Sequence, residues 1–160
     1  MSDKTTCQIC GRAIKASKGL IAHHGYKRPG GGWQTGSCFG ARHLPYEVSC
    51  DLIPMAIKAI EARRNQCFDA TFNLVASPPD TLPEYKTRDP WKGPEKIRDV
   101  PRPETFDSHV DAMTSYISSS YRYLFDKRLS NMRFEIRQCD LELKYLNDRI
   151  ANWKPARTGG

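Results

Sequence analysis

Cys7-Gln8-Ile9-Cys10, answered downstream by Ala22-His23-His24 and then by Ser37-Cys38, constrains this chain more than any other pattern in it. A Cys-x2-Cys knuckle offers two thiolates from one tight turn, and a tetrahedral ion needs two further soft ligands from later in the chain. Twelve residues, Gly11 to Ala22, separate the knuckle from the first His, the interval found in two-Cys two-His fingers. No His follows His23 at finger spacing, so the fourth ligand falls to Cys38, giving a Cys3His set of Cys7, Cys10, His24 and Cys38. His23 is an alternate, since adjacent imidazoles diverge and do not easily share one ion, and His43, five residues after Cys38, is a weaker one. The expected cofactor is therefore one structural Zn2+ per chain, with every coordination position filled by protein and none left open for water. Cys50, Cys67 and Cys139 carry no ligand spacing and read as small apolar side chains in helices.

Working outward, charge is unevenly placed. The 160 residues carry a net +7, and Met1 to Cys50 alone hold seven Lys or Arg against two acidic residues. Asp51 to Glu104 balances, and the remainder adds a small positive excess. A basic metal-stapled lobe is the footprint of a protein that meets phosphate. The candidate contacts are Lys15, Lys18, Tyr26, Lys27, Arg28, Trp33 and Arg42, grouped around the turn Gly30-Gly31-Gly32, where cations and aromatic faces surround backbone that can approach a ligand closely. The cysteine usage fits a reducing compartment, and no apolar run reaches bilayer length, so a soluble intracellular protein with no membrane contact is expected.

Four segments are expected: a zinc-binding module over 1–46, a helix over 47–76 packed on the C-terminal helices, a Pro-rich loop over 77–104, and a long helical, coiled-coil-like region over 105–160. Ser49 or Asp51 would cap the first helix, with Pro54 in its first turn. Seven of the eleven prolines fall between Ser77 and Glu104, with Trp91 as a candidate anchor for the loop they imply. Further on, Phe125, Leu129, Met132, Ile136, Cys139, Leu143, Leu146, Ile150 and Trp153 alternate steps of four and three, the seam of a helix packed along another helix. Phe106, Val110, Met113 and Ile117 keep the same rule, but an unbroken helix to Trp153 would run roughly 70 Å, so a break is expected around Ser118-Ser119-Ser120. In a parallel in-register homodimer Arg128 would face Arg133 and Glu135 would face Asp140, both repulsive, so pairing within the chain is favoured over that dimer. The fold class expected is thus mainly α, with a small β-containing zinc module followed by a hairpin of long helices.

Cys7-Gln-Ile-Cys10-Gly-Arg, Ile21-Ala-His-His-Gly-Tyr-Lys-Arg-Pro, Gly32-Trp-Gln-Thr-Gly-Ser-Cys38 and Pro45-Tyr-Glu-Val-Ser together resemble small zinc-finger-like accessory proteins of tailed phages and prophages, mainly over residues 7–50. The resemblance implies metal binding and work in the bacterial host cytoplasm, and it supplies no activity. Three functions are consistent with these residues. The leading one is nucleic-acid binding through the basic zinc module. A protein-protein interaction factor docking on or inhibiting a host complex is the second. An HNH-type metal-dependent nuclease with His24 as base is the third, short of a metal-binding residue on the helix that follows, so no catalytic residue is assigned. Structural zinc contributes about 10 to 16 kcal/mol in finger peptides, so Cys10→Ser is expected to unfold the first fifty residues and to leave much of the C-terminal helicity.

Overall fold

The computed structural model describes residues 4–29, 33–86, 93–109 and 120–155. The triple-glycine turn, Trp91, Val110, Met113 and Ile117 lie outside them, as does the side chain of Trp33. Among the described residues, seven strands and two helices follow in the order β1 (Lys4–Thr6), β2 (Ala13–Ser17), β3 (Leu20–Ile21), β4 (Gly25–Lys27), β5 (Trp33–Ser37), α1 (Leu52–Ala76), β6 (Thr81–Lys86), β7 (Glu95–Pro101) and α2 (Ser120–Ala151). The strands form three antiparallel sheets, β1-β2-β3, β4-β5 and β6-β7. This overturns the expectation of a mainly α chain ending in a hairpin of coiled-coil-like helices.

The physical reason lies in what covers the periodic faces. The chain forms two compact units, one of Met1–Asn65 with Arg137–Gly160 and one of Gln66–Ile136. In the first, Leu52, Ile53, Ala56 and Ile60 of α1 and Cys139 and Leu146 of α2 share one core with Cys7, Ile9, Cys10, Ile21 and Cys38 of the N-terminal lobe. In the second, Leu74, Tyr121, Phe125 and Leu129 pack with Leu82 of β6 and Val100 of β7. In each unit the apolar helix faces are shared with strand and loop residues as well as with the other helix, so the core is not the continuous α-to-α seam that period alone implies. Ile150, the last seam position on α2, is exposed instead.

The Pro-rich segment is a β-hairpin rather than a loop. Leu82 pairs with Val100 and both are buried, while Glu84 pairs with Arg98 and the two side chains form a 2.7 Å ion pair. A two-stranded sheet has only edge strands, so Pro83 and Pro101 are accommodated where their missing N–H points away from the ladder. Phe106 closes this core edge-on against Tyr121 and Phe125, at centroid distances of 4.8 and 5.0 Å. Among the described residues no helix is long and apolar enough to cross a membrane.

In the first unit, β2 turns into β3 through Lys18 and Gly19, at φ of 53° and 78°. Two successive positive φ values between paired Ser17 and Leu20 make the primed turn that matches strand twist. The loop after β5 returns alongside β3, where Ile21 N–H donates to the His43 carbonyl at 2.9 Å and Arg42 N–H donates to the Ile21 carbonyl at 2.8 Å. These bonds fix the two halves of the lobe against each other, and the candidate metal ligands sit where they meet.

Candidate metal centre

The knuckle occupies the β1-β2 connection. Gly11 follows Cys10 at φ 68°, a left-handed conformation that an L side chain would occupy only under strain, and its N–H donates to the Cys7 carbonyl at 3.1 Å. The other two ligand positions stand at the mouth of the β4-β5 hairpin, His24 just before β4 and Cys38 just after β5. There the Cys38 N–H donates to the His24 carbonyl at 2.9 Å. Two hairpins therefore bring Cys7, Cys10, His24 and Cys38 together, all buried, with one ligand atom from each lying within 4.8 Å of the others.

The distances decide what this cluster can hold. A tetrahedral ion bound to sulfur at about 2.3 Å and to nitrogen at about 2.05 Å sets its sulfurs about 3.8 Å apart and sulfur about 3.6 Å from nitrogen. The Cys7 and Cys38 sulfurs are 3.7 Å apart, and Cys10 Sγ is 3.4 Å from His24 Nε2. The set fits a single metal site. His24 is also held in the right tautomer, because Nδ1 lies 2.8 Å from the Ala22 carbonyl, which can only accept, so the proton sits on Nδ1 and the Nε2 lone pair faces the sulfurs. Electrostatics point the same way. Hydrogen bonds from the Cys38 and Cys7 thiols pull Cys10 far below an ordinary thiol, while Cys38 and Cys7 are pushed up, first by their bond to Cys10 and also by burial. Once Cys10 is ionised it opposes ionisation of the other two sulfurs, and a divalent cation removes that obstacle.

The two alternate ligands are placed elsewhere. His23 is exposed, with Nε2 at 2.7 Å from the Ser37 hydroxyl, and His43 is exposed with its ring 6.1 Å from that of Phe39. The nuclease reading needs His24 as a base, but both of its ring nitrogens are committed, one to the cluster and one to Ala22.

Several residues that hold the centre carry no motif signal. Gln8, inside the knuckle, is fully buried. Its Oε1 accepts from the Leu52 N–H at 3.1 Å, and its Nε2 donates to the Leu44 carbonyl at 2.9 Å and to Asp51 Oδ1 at 3.1 Å. The first N–H of α1 is thereby capped from within the metal knuckle. Arg149, near the end of α2, donates to the Cys7 and Gln8 carbonyls, each at 3.1 Å, while its guanidinium lies 3.8 Å over the Tyr46 ring. Tyr46 and Trp153 complete the attachment, the Tyr46 hydroxyl donating to the Arg149 carbonyl and Trp153 Nε1 donating to the Tyr46 carbonyl. Beside this lies a buried ion cluster in which Glu142, 1% exposed, accepts from both Arg28 and Arg63.

That cluster changes the account of the basic turn. Arg28 is buried against Glu142 and is not a surface cation, and Tyr26 is half-buried against the first core, where burial and then the nearby Glu142 carboxylate push its phenol pKa upward. Lys15, Lys18, Lys27 and Arg42 are exposed on the lobe. No protein-family model, curated protein or solved structure matches the chain.

Proposed function

We propose that the protein is a small zinc-stapled accessory factor that binds nucleic acid through the basic surface of its metal unit. Zinc is the ion of choice because a closed Cys3His tetrahedron is a structural zinc set, and soft thiolates disfavour magnesium, calcium and manganese. The observation that carries the nucleic-acid reading is the distribution of charge. The unit built from Met1–Asn65 and Arg137–Gly160 has fifteen Lys or Arg against seven Asp or Glu, a net +8, while Gln66–Ile136 has ten against eleven, a net −1. All of the positive excess therefore belongs to the unit that contains the metal ligands, and Lys15, Lys18 and Arg42 stand exposed on it. Such a field attracts phosphate and makes affinity fall steeply with salt. The resemblance of residues 7–50 to phage accessory proteins agrees with a role in a bacterial cytoplasm.

Fluorescence anisotropy with a labelled duplex at several salt concentrations tests this. Each phosphate contact contributes a slope of about −0.9 in log affinity against log salt. A combined Lys15→Glu, Lys18→Glu, Arg42→Glu variant, with metal content unchanged, is expected to flatten that slope by two to three contacts' worth, about 2 to 3. A flat salt response, or no binding at micromolar protein and low salt, removes the reading.

A second reading has its own support. Leu20, Phe39, Leu44, Val48 and Met55 are large apolar side chains exposed on the same unit, a composition that also suits a protein partner. A stoichiometric protein that co-purifies after nuclease treatment, with no retained nucleic acid, would favour it.

A further inference from the structure

Next to the metal ligands, the same unit opens a cleft of about 280 Å³ between the β5 end and α1. Its lining is apolar at Ile9, Phe39, Met55 and Ile60 and polar at Tyr26, Arg63 and Glu142. We propose that this cleft is a pocket for one splayed-out nucleobase of a single-stranded nucleic acid, a proposal that rests on the nucleic-acid reading above.

The volume lies at the lower edge of the roughly 300 to 1,000 Å³ typical of small-molecule sites, so it admits one ring system and not an extended cofactor. The walls offer what a ring needs. Phe39 is about half exposed at the rim and directly follows the ligand Cys38, so the metal fixes the segment that presents a stacking face. The polar part of the lining offers what a base edge needs. Arg63, with 37% of its side chain exposed, brings a guanidinium to it and the Tyr26 hydroxyl can donate or accept, while Glu142, 1% exposed, is already paired with Arg28 and Arg63. An aliphatic or phenyl side chain from a protein partner would desolvate these groups and answer none of them, whereas a base edge carries donors and acceptors together. Charge agrees as well. The cleft belongs to the unit of net +8. The phosphates flanking an inserted base are attracted to the same unit.

The test uses the full chain with its metal and three labelled single-stranded DNA probes of equal length, oligo-dT, oligo-dA and an abasic strand with the same number of phosphates, read by anisotropy. At least one base-bearing strand is expected to bind about tenfold tighter than the abasic strand, the effect of stacking and seating one base. Ala59→Leu fills the cleft from an exposed helix position, and Phe39→Ala removes the stacking face. With metal content unchanged, each is expected to lower affinity for the base-bearing strand toward that of the abasic strand while leaving the salt slope as it was. If all three strands bind alike with a normal salt slope, or if neither variant alters the preference, the pocket proposal is wrong and the nucleic-acid reading stands. If no strand or duplex binds at low salt, both fall. If strands are ignored but Ala59→Leu abolishes capture of a host protein, the cleft belongs to a protein side chain and the proposal is wrong.

Discussion

Replacing Gln8 with alanine should loosen the junction between the metal knuckle and α1. The side chain is fully buried and makes three hydrogen bonds, of which the one from the Leu52 N–H is decisive. Leu52 is 4% exposed, so its amide, once abandoned by Gln8 Oε1, has no ready access to water. A buried donor left unsatisfied costs about 1 to 3 kcal/mol. Leu44 and Asp51, the partners of Nε2, are exposed, and water replaces the amide there with little loss. The space vacated adds about 1 kcal/mol, so Gln8→Ala should destabilise the protein by about 3 kcal/mol. Gln8→Met, which keeps most of the volume and removes only the hydrogen bonds, should lose about 2 kcal/mol. Urea unfolding followed by circular dichroism, with equal metal content confirmed in each variant, gives these numbers. Amide hydrogen exchange at Leu52 should rise in both variants. A loss below about 0.5 kcal/mol for Gln8→Ala, the range of an ordinary surface substitution, together with unchanged protection at Leu52, would refute the idea that the knuckle caps the helix.

Three further outcomes are expected. Cys10→Ser should abolish stoichiometric metal binding and also remove a large part of the helical signal at 222 nm, because Cys7, Cys10 and Cys38 share one core with Leu52, Ile53, Cys139 and Leu146; intact helicity without metal would show that the lobe and the helices fold separately. Gly40→Ala places a methyl group onto the Cys7 sulfur and should weaken metal affinity by about 10-fold to 100-fold in a chelator competition, the scale for disturbing a ligand's supports; unchanged affinity would contradict the ligand geometry. Glu47 accepts the Thr6 N–H with both carboxylate oxygens, at 3.0 and 3.1 Å, and although its partial burial works against ionisation, those bonds hold its pKa below the usual 4.5. A folded-state pKa depressed in this way contributes stability that is present above that value and lost as pH falls through the lowered one. Glu47→Gln should therefore be less stable than the parent at pH 7, with the gap closing in acid; a gap independent of pH would show that the charge plays no part.

The Cys3His cluster was legible in the sequence because metal chemistry restricts both residue type and spacing: Cys7 and Cys10 announce a knuckle, and Cys38 follows by elimination. The choice of His24 over His23 was not, since it depends on the Ala22 carbonyl and on the β4-β5 hairpin that turns one imidazole inward and the other toward Ser37. Helical period was legible too, and Phe125, Leu129, Ile136, Cys139 and Leu146 are all buried as their spacing requires. Period says which face is covered and not what covers it, so the strand and loop residues that share these cores with the two helices leave no trace in it. The β6-β7 hairpin was hidden by its prolines, which exclude a central strand but not an edge one. Arg28 was misread for a related reason. A cation in a basic turn looks solvent-facing until its partner, Glu142, arrives from 114 residues away.

One ion is expected to join two hairpins and, through Gln8 and Arg149, the ends of two helices. X-ray absorption at the zinc edge on the purified full chain measures this most directly. One zinc per chain, with three sulfurs at about 2.3 Å and one nitrogen at about 2.0 Å, is the predicted result. A protein that folds with no stoichiometric metal, or a zinc shell made only of oxygen and nitrogen, would contradict it.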